Sequence, residues 1–217
     1  SGCWLTLRSP TTAPSSITTK SNKHMTKDQA NELMCKVADV FSVEREKMFS
    51  NTRKMYSLGW TGLNIDLNPI TIELFNFKRP KDINICAALS NKIKRANLYY
   101  HHDLSSQNTL SDNHVSWMKK NFGLNKLKTK TIKTNRLDKI LKKFDIKHID
   151  FLNIDIEGLE LEVMSTINLK KLNIKVICIE LLAYNQIQKK IKKKILNFLK
   201  KNKFKVVERL RENYILT

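Results

Sequence analysis

Phe151-Leu-Asn-Ile-Asp-Ile-Glu-Gly-Leu-Glu-Leu-Glu-Val163 reads as a short apolar strand, Phe151 to Ile154, that delivers a carboxylate, Asp155, at its C-terminal end. Glu157 follows, and Gly158 then lets the chain turn into a helix. In open α/β sheets ligands sit outside the carboxyl ends of the strands, so acids placed there face a pocket. A second segment has the same form. In Gly59-Trp-Thr-Gly-Leu-Asn-Ile-Asp-Leu-Asn-Pro69, Leu63 to Ile65 make a strand, Asp66 stands at its end, and Pro69 falls in the first turn of a helix. That helix carries Ile70, Leu74 and Phe75 on one face. An acid at the tip of the second strand of a nucleotide-binding α/β unit can accept both hydroxyls of a ribose. Helix capping is the competing role for either acid. Two acid-tipped strands in one chain are harder to explain by capping alone.

At 217 residues the chain predicts one domain with a short appendage, long enough to bury a core. No apolar run reaches membrane-spanning length, so no span is expected. Near the N-terminus Trp4, Leu5 and Leu7 are too few for the apolar core of a secretory signal. The formal net charge of +20 raises nucleic acid as a partner. Yet Lys, Asn and Ile recur evenly along the chain rather than gathering on one motif. The densest basic run, Lys189 to Lys203, interleaves Ile191, Ile195 and Leu199 with lysines, as a solvated helix face does. No nucleic-acid partner is expected, while attraction of anionic substrates stays open. Cys3, Cys35, Cys86 and Cys178 lack metal-ligand or disulfide-framework spacing. Cys86 and Cys178 fall in strands expected to be buried, where a thiol acts as a small hydrophobe. A reducing cytoplasm fits this usage best.

The chain divides into three stretches. Residues 1–24 are rich in Ser, Thr and Pro without apolar period, and read as a disordered or non-native tail. Residues 25–48 form a helical lead-in or a degenerate first strand and loop. From Thr26, a possible N-cap, Leu33, Val37 and Val40 lie on one side of a helix. Residues 49–217 then alternate helix and strand. Strands are expected at 63–66, 83–88, 97–101, 129–133, 151–155 and 176–181, and helices at 52–58, 70–77, 114–121, 158–166 and 186–202. Leu137, Ile140, Leu141 and Phe144 mark another helix. Phe204 to Arg209 and Tyr214 to Leu216 close the sheet as a hairpin. Such alternation implies a mainly parallel sheet covered on both faces.

In order, Ser50-Asn-Thr52, Tyr56, Gly59-Trp60, Gly62-Leu-Asn-Ile-Asp-Leu-Asn-Pro69, Arg79-Pro80, Asp82-Ile-Asn84, Asn108-Thr-Leu-Ser111 and Arg136-Leu-Asp138 form an ordered set. Ile149 to Gly158 and Val176-Ile-Cys-Ile-Glu180 complete it. Together they resemble an FkbM-type methyltransferase domain over about residues 49–217. The resemblance implies an α/β, Rossmann-like class I methyltransferase fold: a mostly parallel central sheet, helices on both faces and a C-terminal antiparallel hairpin. It also implies S-adenosylmethionine as cofactor and a small hydroxylated acceptor, methylated on oxygen, as in sugars or secondary metabolites. One departure stands out. Where the family has a glycine-containing loop after its first strand, this chain has Val37-Ala-Asp-Val-Phe-Ser-Val-Glu-Arg-Glu-Lys47. Asp39-Val40 is the remnant of that strand end, with Phe41 in the glycine position, or else 25–48 is an unrelated helical segment. A phenylalanine there would fill space the cofactor needs and would weaken its binding. A degenerate, non-catalytic binding domain is therefore the alternative function.

The resemblance implies that Asp39, Asp66, Asn68, Ala87 and Ser90 border the cofactor. Methyl transfer to a hydroxyl needs the acceptor oxygen aligned with the methylsulfonium and relieved of its proton. Asp155 and Glu157 are the candidates for proton removal, acceptor orientation or metal holding, with capping or pairing to a lysine as their bland alternative. Glu180 ends the next strand and can line the same crevice. The pair His101-His102 beside Asp103 does not make a metal site, because adjacent strand residues point to opposite faces. No metal is assigned.

Overall fold

The computed structural model describes residues 2–7, 52–102, 108–124 and 126–217. Strand β1 spans Gly2–Leu7, followed by α1 (Arg53–Ser57), β2 (Thr61–Asp66), α2 (Pro69–Lys78), β3 (Ile83–Cys86), β4 (Ala88–Leu89) and β5 (Arg95–Tyr100). Then come α3 (Asp112–Phe122), β6 (Lys128–Asn135), α4 (Leu137–Lys143), β7 (Phe151–Asp155), α5 (Glu160–Met164) and β8 (Val176–Glu180). The chain ends with α6 (Gln186–Lys201), β9 (Val206–Leu210) and β10 (Asn213–Leu216). Among the described residues the main sheet has 7 strands in the order β3-β2-β1-β7-β8-β10-β9, and β4-β6-β5 form a second, 3-stranded sheet.

Periodicity and caps explain the elements. Strands β7 and β8 bury their three central residues on both faces, as apolar runs in a parallel pair do. Helix α2 starts where Pro69 sets the first turn and the Asn68 side chain accepts from the Ile70 N–H at 3.0 Å. Asn185 caps α6 in the same way through the Gln188 N–H at 2.8 Å. Ile195 and Leu199 of α6 pack inward while most of its lysines stay in solvent. The core joins Leu63 and Ile65 of β2, Leu152 and Ile154 of β7, Ile177 and Ile179 of β8, and Leu137 and Leu141 of α4. Each such fully buried side chain stabilises the fold by roughly 1.5–3 kcal/mol.

Three expectations are corrected. The sheet is less parallel than alternation implies: β2 pairs with β3 and β7 with β8 in parallel, but the other four pairings are antiparallel. The C-terminal hairpin accounts for two of these, since β10 pairs with both β8 and β9. Gly2–Leu7, expected to lie in a tail without structure, accounts for the others. It fills the slot between β2 and β7, antiparallel to both. An open slot there would leave the facing N–H and C=O groups of two central strands unpaired, and any short extended segment relieves that cost. Cys86, expected inside a buried strand, is exposed at the tip of the outermost strand β3, whereas Cys178 is buried in β8. The 25–48 stretch, with Asp39 and Phe41, lies outside the described residues.

At the other end of the sheet, Arg79 donates to the Thr52 hydroxyl at 2.8 Å, and Asp82 accepts from the Gly62 N–H at 2.8 Å and the Asn64 amide at 2.9 Å. These residues fasten the entries to β2 and β3, away from the acid tips. Just before β7, Asp150 takes Lys175 at 2.6 Å and His148 at 3.0 Å, and the Lys175 hydrogen bond holds its carboxyl at about 2.

Two outcomes follow from these contacts. Removing residues 2–7 strips a central strand, so the melting temperature should fall by roughly 10 °C or more, read by circular dichroism. Asp150 has a folded pKa below its ordinary 3.8, so its contribution is complete above about pH 4 and is lost as pH falls toward 2. Both partners are partly exposed, which limits the effect to about 1–2 kcal/mol. Urea titrations should therefore find Asp150→Asn less stable than the parent at pH 6, with the gap closing on acidification.

Candidate active site

The register of β1 sets the level of the two strand-tip acids. Cys3 pairs with Ile65 on one side and Ile154 on the other. Asp66 and Asp155 therefore stand one position further along, at the same end of the sheet, on either side of Gly2. One strand lies between them, so their backbones are roughly 10 Å apart.

Asp66 is buried and accepts from the Asn68 N–H at 2.7 Å, while its carbonyl receives the Ala87 N–H at 2.9 Å. Burial raises its pKa to about 6, with the Asn68 hydrogen bond opposing and the charge of Asp155 adding to the rise. Asn68 is thereby occupied as the α2 cap, and Ala87 sits beside the Asp66 backbone. Ser90 is buried too, with its hydroxyl 3.4 Å from Asn91 and 3.3 Å from Glu162. The structure thus brings Asp66, Asn68 and Ala87 together and turns the Ser90 hydroxyl toward α5.

After β7 the backbone doubles back sharply. Glu157 adopts a left-handed φ of 55°, and Gly158 follows at 104°. A non-glycine residue held there stores strain, and such strain gathers at functional turns. The Thr109 hydroxyl clamps the turn by donating to the Glu157 carbonyl at 3.0 Å, and the Glu160 carboxylate accepts the Gly158 N–H at 2.9 Å.

The turn carries Glu157 back beside the strand tips. Carboxylate oxygens of Asp155, Glu157 and Glu180 all lie within 4.8 Å of one another. Burial pushes Glu157 well above the usual carboxylate range, and the charges of Asp155 and Glu180 push it further. Burial likewise raises Glu180 to about 8, with Asp155 the next cause, and raises Glu160 to about 7. Glu157 also faces the Nε2 of His114 at 3.3 Å. Burial holds that imidazole neutral, with its pKa lowered to about 4.

Beyond His114 lies an aromatic wall. Trp117 and Tyr184 stack with ring centroids 4.6 Å apart, and Tyr184 accepts a hydrogen bond from Gln188 at 3.2 Å. A separate depression of about 380 Å³ lies on α6, lined by Lys189, Lys192 and Lys193. It contains none of the strand-tip acids.

Sequence reading missed His114, Glu160, Trp117 and Tyr184. His114 was legible only as a helix residue, one turn after the Ser111 N-cap. Its approach to Glu157 depends on packing between segments far apart in the chain. Glu160 carried a faint signal, as an acid in the first turn of a helix beginning just after a glycine.

Strands tipped with acids at one end of a mixed α/β sheet match the pattern of α/β folds that bind ligands beyond the carboxyl ends of their strands. The family model for the methyltransferase FkbM domain matches residues 36–206, and the chain belongs to that family of S-adenosylmethionine-dependent methyltransferases. No curated protein and no solved structure gives a significant match. No helix of the described residues is long and apolar enough to cross a membrane.

At Gly158 a Cβ would meet the Ser111 Oγ at 3.2 Å and its Cβ at 3.3 Å, in addition to the backbone cost of a positive φ. Gly158→Ala should destabilise the protein by roughly 1–3 kcal/mol. Chemical denaturation measures this, and an unchanged midpoint would show that the turn rearranges freely.

Proposed function

We propose that this chain is an O-methyltransferase of the class I, Rossmann-like kind, acting on a hydroxyl of a small polar acceptor such as a sugar or secondary metabolite. The observation that carries the reading is the level placement of Asp66 and Asp155 at the tips of β2 and β7, one strand apart, with Glu157 and Glu180 gathered beside the second. In a chain of net charge +20, these acids make a negative crevice. Such a crevice fits S-adenosylmethionine, which carries a sulfonium and an ammonium. When bound, it supplies an electrophilic methyl group.

The chain's own residues do the rest. Asp66, held by the Asn68 N–H, would accept the ribose hydroxyls, and Ala87 would border the adenine. Ser90 contributes through the packing of that loop rather than through its engaged hydroxyl. Asp155 orients the acceptor hydroxyl. Glu157, whose proton affinity burial and the charges of Asp155 and Glu180 raise, would take the proton from that hydroxyl. Trp117 and Tyr184 offer a stacked apolar face to the body of the acceptor.

One observation favours a second reading, a degenerate binding domain without catalysis. Strand β1 runs against β2 and β7, so the chain enters the sheet at the acid tips instead of leaving it there. Among the described residues no strand-to-helix loop stands at that end between β2 and β7 to cradle the cofactor's amino-acid portion. Calorimetric titration with S-adenosylhomocysteine separates the two readings. Binding that Asp66→Ala weakens by roughly 1–3 kcal/mol supports the methyltransferase site. Failure to bind assigns the chain to the second reading.

A further inference from the structure

Asp155, Glu157 and Glu180 come from the tip of β7, the left-handed turn after it and the tip of β8, yet they present oxygens within 4.8 Å of one another. No lysine or arginine among the described residues forms an ion pair with any of the three, although the chain carries 40 of these cations against 20 acids. A surplus of lysines makes the lack of a lysine or arginine partner among the described residues informative. Three carboxylates at this spacing repel one another unless a cation or protons intervene.

A second observation comes from another element. His114 of α3 is 2% exposed, its Nε2 stands 3.3 Å from the Glu157 carboxylate, and neither ring nitrogen makes a hydrogen bond. Buried polar groups are rarely left without a partner, and those that are point to strain, a functional role, or a water or ion beside them. One oxygen of Asp155 is buried in the same unpartnered state.

We propose that Asp155, Glu157 and Glu180 form a divalent-cation site of the hard, oxygen-preferring kind, suited to Mg²⁺ or Mn²⁺, with His114 as a positioning residue behind Glu157. Three protein oxygens leave coordination positions for water and for vicinal hydroxyls of an acceptor. Cation binding stands on the cluster itself, while its use in catalysis rests on the methyltransferase reading. In that use the cation binds the acceptor oxygen and lowers the hydroxyl pKa, and Glu157 becomes a ligand instead of the base. The proton leaves to solvent as the oxygen takes the methyl group.

The full chain, stripped with chelator, is titrated with MnCl₂ while the electron paramagnetic resonance of free Mn²⁺ is followed, with no methyl donor or acceptor present. One site is expected, with a Kd of about 1 mM or tighter, displaced by Mg²⁺. Asp155→Asn and Glu180→Gln should each weaken it at least about tenfold, and His114→Gln by about tenfold, while Asp138→Asn leaves it unchanged. Without metal, the Asp155→Asn and Glu180→Gln variants should melt no lower than the parent, since each relieves repulsion. Failure of the stripped chain to bind either cation would overturn the proposal. So would binding indifferent to these variants, or unfolding of both carboxylate variants. The S-adenosylhomocysteine titration tests the other reading separately. S-adenosylhomocysteine binding without a Mn²⁺ site removes the cation alone, and a Mn²⁺ site without S-adenosylhomocysteine binding removes the methyltransferase while keeping the cation.

Discussion

Strand β7 is gripped on both sides, by β1 and by β8, with Leu152, Asn153 and Ile154 buried between the helical layers. That constraint governs the rest of the site. An apolar run buried on both faces cannot slip by one residue without moving its whole ladder, so Asp155 emerges at a fixed level. The turn that follows has little room. It places Glu157 in a left-handed conformation and requires glycine next, because the Ser111 side chain occupies the space where a Cβ would stand. Burial at one end of the strand thereby holds strain and charge at the other.

The electrostatic character of the site opposes that of the chain. Lysines cover the surface helices, most densely on α6, while the strand tips gather carboxylates whose proton affinity burial raises. Long cationic side chains keep their ammonium groups in water and cannot follow a short acid into a dry crevice without a large desolvation cost. Among the described residues no lysine pairs with Asp155, Glu157 or Glu180 for that reason, within a strongly basic protein. Net charge therefore describes the surface, and only burial describes the site.

A second layer couples α3 to the turn. Ser111 caps α3, lies against Gly158 and follows Thr109, whose hydroxyl holds the Glu157 carbonyl. One turn into the helix, His114 faces Glu157 and begins the aromatic row through Trp117 to Tyr184. The Asn108-Thr-Leu-Ser111 segment, one of the motifs that carry the family resemblance, is thus the support of the acidic turn.

The sequence by itself determined the alternation of helix and strand, the acids at the ends of β2 and β7, and Pro69 in the first turn of α2. Each rests on residues adjacent in the chain, through side-chain period or local backbone preference. The terminal hairpin was legible for the same reason. Tertiary structure alone decided what lies between β2 and β7. Gly2–Leu7 has too little apolar pattern to announce a strand, and its place depends on two open edges contributed by distant segments. It also decided that Cys86 is exposed, that Glu180 and Glu157 converge with Asp155, and that His114 approaches them. Those arrangements depend on which segments meet across the sheet, and no local spacing records a meeting between residues so far apart in the chain.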